Sequence, residues 1–202
     1  MLTGKNRTGT AGILLLLILL FWGNAVAISV REVDLEGMVG SANRIFLGKV
    51  VGASTFYDNR ISCDVTIYTM AVLEGIFGTS KGETITFRQV GNQYGRNNQV
   101  IGLPVYRKGE EVLLFLHGDS RHGLTSPVGL HQGVFHPVGR DHGKKVYMNR
   151  SGNRNLKLES YSSYRTAPRA SVAMSGESVS PFDLEVLRDC IRQARNRNRG
   201  PK

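Results

Sequence analysis

Residues Ile61–Leu73 read ISCDVTIYTMAVL, and their alternation decides the fold class. Ile61, Cys63, Val65 and Ile67 fall on one side of an extended chain, and Ser62, Asp64, Thr66 and Tyr68 on the other. A period of two is the mark of a strand with one buried face, because successive side chains point to opposite sides. Apolar-inward packing then puts the Cys63 face in the core. Just upstream, Arg44–Tyr57 (RIFLGKVVGASTFY) forms a second long strand. Gly48 and Gly52 within it mark a bend or bulge, as the tight coiling of a small barrel requires. Asp58-Asn59-Arg60 supplies turn residues between the two, so they make a long hairpin.

Outward from this hairpin the β pattern continues. Glu83–Val90 (ETITFRQV) is a third strand with Ile85 and Phe87 on one side. Glu110–Leu116 (EEVLLFL) carries an unbroken apolar run, which suits a strand buried on both faces. Gly133–Val138 and Lys144–Met148 pair across residues 139–143 as a last hairpin. Asp34–Ala42 (DLEGMVGSA) is a short helix with Leu35, Met38 and Val39 on one face. Gly91–Gly102 and His117–Gly123 are polar, glycine-bearing loops. With 24 Gly against 6 Pro and 41% apolar residues, the composition is that of a turn-rich β domain.

From residue 149 to 179 the periodicity dissolves into Ser, Arg and Asn, and the stretch reads as a loop or linker. A helix follows over 180–196. Ser180 caps it, Pro181 suits its first position and Asp183 sits where a capping-box acid belongs. Leu184, Leu187, Ile191 and Ala194 share a face with Cys190 beside them, and Arg188, Arg192 and Arg195 form the opposite, solvated face. Residues 197–202 are a frayed tail. Residues 28–148 and the helix thus form one mainly β domain.

The amino terminus carries a different signal. Lys5 and Arg7 precede an apolar run from Ile13 to Trp22, then Gly23-Asn24 and Ala25-Val26-Ala27. A positive end, a short apolar core and small residues Ala25 and Ala27 before a cut are the layout of a secretory signal peptide over residues 1–27. The run of ten is shorter than the roughly 20 residues a membrane-spanning helix needs. The expectation is export to the periplasm or beyond, with no membrane span after cleavage. Loss of Lys5 and Arg7 takes the net charge from +10 to +8, a balance that attracts anionic surfaces as well as solubilising the chain. In an oxidising compartment the two cysteines, Cys63 and Cys190, are expected to bridge the second strand to the last helix. Closing so long a loop stabilises by about 4–5 kcal/mol in the chain-entropy account.

Catalytic patterns are weak. The five histidines are His117, His122, His131, His136 and His142. Gathering His131, His136 and His142 as metal ligands leaves spacings of five and six, which match neither a helical i, i+4 pair nor one strand face. There is no G-x-S-x-G elbow and no phosphate-cradling loop, and Glu110 and Glu111 point to opposite strand faces. No cofactor and no catalytic residue are expected. The loop Asn92–Gln99 mixes Tyr94, Arg96 and amides, a composition able to stack on and hydrogen-bond a ligand.

Four phrases carry a family resemblance: Phe46-Leu47-Gly48-Lys49-Val50-Val51, Ala71-Val72-Leu73-Glu74-Gly75, Lys108–Leu116 and Gly129–Phe135. Their order resembles a group of exported bacterial proteins that is similar in turn to the netrin-like and tissue-inhibitor-of-metalloproteinase barrel. The resemblance covers about residues 34–148 and the terminal helix, and it implies an OB-like antiparallel barrel with a short N-terminal helix and a C-terminal helix packed on it. Inhibitors of that type use an amino-terminal cysteine on the target's zinc. Here the first cysteine, Cys63, lies inside a strand, so that mechanism has no residue to carry it. The expected function is a non-enzymatic binding module for a protein partner, with attachment to anionic polymers as the alternative and a metal-dependent hydrolase as a third. No specific nucleic acid partner is expected.

Overall fold

The alternating stretch folds as β2, Cys63–Phe77, four residues longer at its end than its pattern indicates. In the computed structural model the described residues are 31–94, 102–163 and 181–199. The proposed cleavage site at Ala25 and Ala27 lies outside them, as do Arg96 and Ser180. The chain runs α1 (Leu35–Ser41), β1 (Arg44–Asp58), β2, β3 (Thr84–Val90), β4 (Glu111–Leu116), β5 (Val134–Asp141), β6 (Lys144–Asn149), β7 (Phe182–Asp183) and α2 (Leu184–Arg199). All strand pairings are antiparallel, in the order β3-β2-β1-β4-β5-β6-β7. Among the described residues no helix is long and apolar enough to cross a membrane.

The glycines of β1 do what their positions suggest. Register shifts against β2 fall at Leu47/Gly48 and at Val50/Gly52, so the hairpin bends where side chains are missing. At Gly48 a Cβ would come within 2.8 Å of the Phe46 ring, which lies across the bare glycine. The β5–β6 turn is His142-Gly143, with φ of 45° and 81°. Both residues being left-handed gives the two-residue turn whose twist matches the flanking strands.

Two apolar clusters sit on opposite sides of the sheet. The first joins Leu35 and Met38 of α1, Ile45 and Leu47 of β1, Leu113 and Phe115 of β4, Phe135 and Tyr147, and Leu187, Cys190, Ile191 and Ala194 of α2. The second joins Phe46, Val50, Tyr68, Met70, Val72, Ile85, Phe87, Tyr106, Val112, Leu114, Leu116 and Val134. β4 feeds alternate residues to each, which is why its apolar run is unbroken.

Five expectations change. The barrel is not seen as a closed sheet: β3 and β7 remain its edges. Beyond β3, however, Thr125 N donates to Arg88 O (2.8 Å), while Val128 N donates to Phe115 O (2.8 Å) and Pro127 bridges Leu116, so the segment 125–128 touches both β3 and β4. In β2 the period of two persists, but from Thr66 onward the buried phase is the opposite one, while Val65 is buried from the expected face. Thr66, Tyr68, Met70 and Val72 are buried, while Cys63 and Ile67 are half-buried. Tyr68 is the larger apolar body and packs against Phe87 and Tyr106, with centroids 5.5 and 4.9 Å away. The Thr66 hydroxyl is satisfied by Gly91 O (2.7 Å), which removes the penalty for burying it.

Cys63 and Cys190 are not bridged. Cys63 starts β2 opposite Asp58, whereas α2 meets β2 where Arg188 pairs with Glu74. The eleven residue steps from Cys63 to Glu74 span about 36 Å of strand. A disulfide needs Cα atoms within roughly 7 Å. The fourth change concerns the expected linker. Its first part, Asn149–Ser163, is built onto the sheet through short 3-10 turns at Arg154–Leu156 and Leu158–Ser160, with Leu156, Leu158 and Tyr161 buried. Asn149 holds it: its Nδ2 donates to Gln132 O and Asn155 Oδ1 (both 2.9 Å), and its Oδ1 accepts from Asn153 N (2.9 Å). The last helix begins later than expected, with Asp183 as its cap, accepting from Val186 N at 2.9 Å.

Candidate functional site: the groove beside the outer edge of β1

β1 pairs with β2 along almost its whole length, but with β4 only from Arg44 to Lys49. The ladder ends one step later, where Val50 N donates to Glu110 O (2.9 Å) and Val50 O accepts from Gly109 N (2.8 Å). Beyond this point a groove of about 950 Å³ opens, with Val51, Gly52 and Ala53 on one side. Tyr94, Val105, Tyr106, Arg107, Lys108 and Glu110 contribute the remaining walls and floor. Val51, Tyr94 and Val105 are 42%, 81% and 36% exposed, which is high for large apolar side chains.

Each wall has a local cause. Tyr94 is presented by an Asx turn, its N–H donating to Asn92 Oδ1 (2.8 Å), and Asn92 in turn donates to Asp64 Oδ2 (3.2 Å) on β2. Pro104 O accepts from the buried Gln89 Nε2 (2.7 Å), which fixes the start of the opposite wall. Tyr106 is fully buried between Tyr68 and Phe87. Burial, with help from Tyr68 and Glu110, pushes its phenol well above the ordinary value, so it stays neutral. Its hydroxyl has no hydrogen-bond partner among the described residues.

Ionisable groups near the groove are engaged in structural pairs. Glu110 Oε2 accepts from Arg107 N (2.8 Å), and Glu110 Oε1 lies 3.1 Å from His136 Nδ1. Glu111 takes different partners, accepting from Tyr147 Oη (2.7 Å) and Lys145 Nζ (2.5 Å). Burial raises the Glu111 pKa, but these two donors outweigh it and leave the carboxyl below its usual value. The histidines separate: His131 lies 3.2 Å from Arg150, His136 faces Glu110, and His142 sits on the β5–β6 turn beside Asp141. Burial, then the Arg150 cation, lowers the His131 pKa. Among the described residues no group of three or more His, Cys, Asp or Glu is placed to hold a metal ion.

Of the expected ligand loop, Tyr94 lines the groove and Arg96 lies outside the described residues. Sequence reasoning missed Val51, Val105, Arg107 and Lys108. One signal was available for the first wall: Val51–Tyr57 (VGASTFY) is a strand segment with neither charge nor proline. On the arginine face of α2, Arg192 is exposed as expected and Arg188 and Arg195 are half-buried, and each has a partner. Arg188 pairs with Glu74, Arg192 lies 3.0 Å from Asp189, and Arg195 stacks on Phe77 with 3.8 Å to the ring centroid. No family model, curated protein or solved structure matches this chain.

Proposed function

We propose that this chain is an exported, non-enzymatic binding module and that its partner is a protein. The observation that carries the reading is the groove beside β1, where exposed Val51, Tyr94 and Val105 surround a buried aromatic floor under a rim of Arg107 and Lys108. Apolar contact area rimmed by polar groups is the composition of a protein-binding patch. Export rests on the layout of residues 1–27. In this reading the bulged β1–β2 hairpin, with segment 125–128 reaching from β3 to β4, is a barrel of OB-like type. Its kinship with netrin-like domains rests on the four sequence phrases.

Attachment to anionic polymers is the second reading, favoured by the arginines around a smaller cavity of about 270 Å³ between α2 and the end of β2, lined by Gly75, Ile76, Arg188, Ile191, Arg192 and Arg195. Affinity capture from envelope and culture medium with residues 28–202, at about 0.1 M and about 0.5 M salt, separates the two, because exposed charge pairs are screened over that range. A protein retained at both salts supports the module. Capture at low salt alone supports polymer attachment and overturns it.

A further inference from the structure

We infer that the partner binds by strand addition: an extended peptide segment, uncharged and apolar in its middle and acidic at both ends, pairs with the outer edge of β1 from Val51 to Tyr57. This rests on the protein-binding reading and adds the mode and the chemistry of the ligand. β2 covers one edge of β1 as far as Asp58, but the other edge loses β4 after Val50. Over Val51–Tyr57 that edge has no backbone partner among the described residues, so its N–H and C=O groups form a template for another strand.

Sheet edges of this kind are normally defended by lysine, proline or an inward charge. Val51–Tyr57 contains none of them. The bulge at Val50/Gly52 falls where Val51, Gly52 and Ala53 line the groove. The segment also shows apolar side chains to solvent: Val51, Phe56 and Tyr57 are 42%, 39% and 57% exposed. Tyr94 and Val105 line the same groove and offer exposed apolar surface to alternate side chains of an added strand.

Charge selects the occupant. Exposed Arg107 and Lys108 lie at the groove end of the edge, and just past its far end Arg60 and Arg88 share the single carboxylate of Asp58, which leaves that end one net positive charge. A second copy pairing antiparallel on this edge would bring Arg60 of one chain toward Arg107 and Lys108 of the other, which is unfavourable. Aspartate or glutamate at the ends of a peptide meets a cation at each end.

The test uses a displayed library of random decapeptides selected on the full chain. The result expected is enrichment of peptides with alternating apolar residues and acidic ends. These slow hydrogen exchange of the outward-facing amides of residues 52–57, the alternate ones that do not bond β2, by about tenfold or more, as new backbone pairing requires. They also bind a V51K/Y57K variant about tenfold or more weakly, while the unfolding midpoint of that variant matches the parent chain. Methylating alternate peptide nitrogens abolishes their binding. Enriched peptides that bind without slowing those amides overturn strand addition and leave the protein-binding reading standing. Failure to enrich any peptide also overturns it, and the affinity capture then decides separately whether a folded partner exists. Protection, in the isolated chain, of those amides of residues 52–57 that do not bond β2 overturns it too, with concentration dependence identifying a second copy as the occupant.

Discussion

The two halves of β1 share a strand and a partner in β2, yet differ in almost everything else. From Ile45 to Val50, four large apolar side chains are at most 7% exposed, held between α1 and α2 on one side and the Tyr68 cluster on the other. From Val51 to Tyr57 no side chain is buried, although Val, Thr, Phe and Tyr are good strand formers. The difference lies in the next layer. β4 and the helices cover the first half, and the chain as described puts nothing over the outer edge of the second. In the proposed reading, the half completed by its own fold serves stability and the half left open serves recognition.

The largest effect expected is in the closed half. Phe46→Ala should cost about 3–5 kcal/mol, read as a lower denaturant midpoint, since its ring fills the second cluster and lies across Gly48. A loss below about 1 kcal/mol would show that this half is not closely packed and would erase the contrast. Next comes the hairpin tip, where Asp58 accepts from Arg60 (Oδ2 to NH2 2.7 Å) and pairs with Arg88. The Arg60 bonds, against the opposing effect of burial and aided by Arg88, hold the Asp58 carboxyl well below the usual range. A carboxyl depressed in the folded state stabilises above its unfolded value near 4 and loses that contribution as pH falls toward its folded value. Acid titration of stability should therefore fall below about pH 4 in the parent and run flatter in Asp58→Asn, which starts less stable at neutral pH. An unchanged slope would detach the tip from the rest of the open half.

Smaller effects sharpen the boundary between the halves. Tyr106→Phe removes a buried hydroxyl that lacks a described partner, and should raise thermal stability by the equivalent of about 1 kcal/mol. A loss of similar size would mean the hydroxyl is satisfied in solution. The smallest is none at all: a reducing agent should leave the unfolding midpoint unchanged, because Cys63 at the start of β2 and Cys190 on α2 are unbridged. A drop would place the two cysteines together.

Much of this architecture is legible along the chain where one physical pattern dominates. The β4 run, the bulging glycines of β1, the α1 face and the α2 face all follow from periodicity or from a missing side chain. The misreadings come from interactions between distant residues. The phase of β2 was set by tyrosine, whose ring is apolar while its hydroxyl counts as polar in a pattern. Asn149–Ser163 reads as a linker because its order comes from side-chain amides bonding to Gln132 and Val33, residues far off in sequence. The groove was half visible. Tyr94 announces itself in a polar loop and Val51–Tyr57 lacks charge and proline, but whether that edge is open depends on where β4 stops, which the segment itself does not record.

The double burial of β4 leaves a question of alignment that its own apolar residues do not answer. Val112-Leu113-Leu114-Phe115-Leu116 offers large apolar side chains to either cluster, so sliding one residue along β1 would exchange faces and still bury every one of them. Glu111 makes the two alignments unequal. It lies opposite Lys49 and holds Lys145 and Tyr147, and a slip would drive its carboxylate toward the interior and strand those partners. One acidic residue at the mouth of the strand thus sets the frame in which all the others are read.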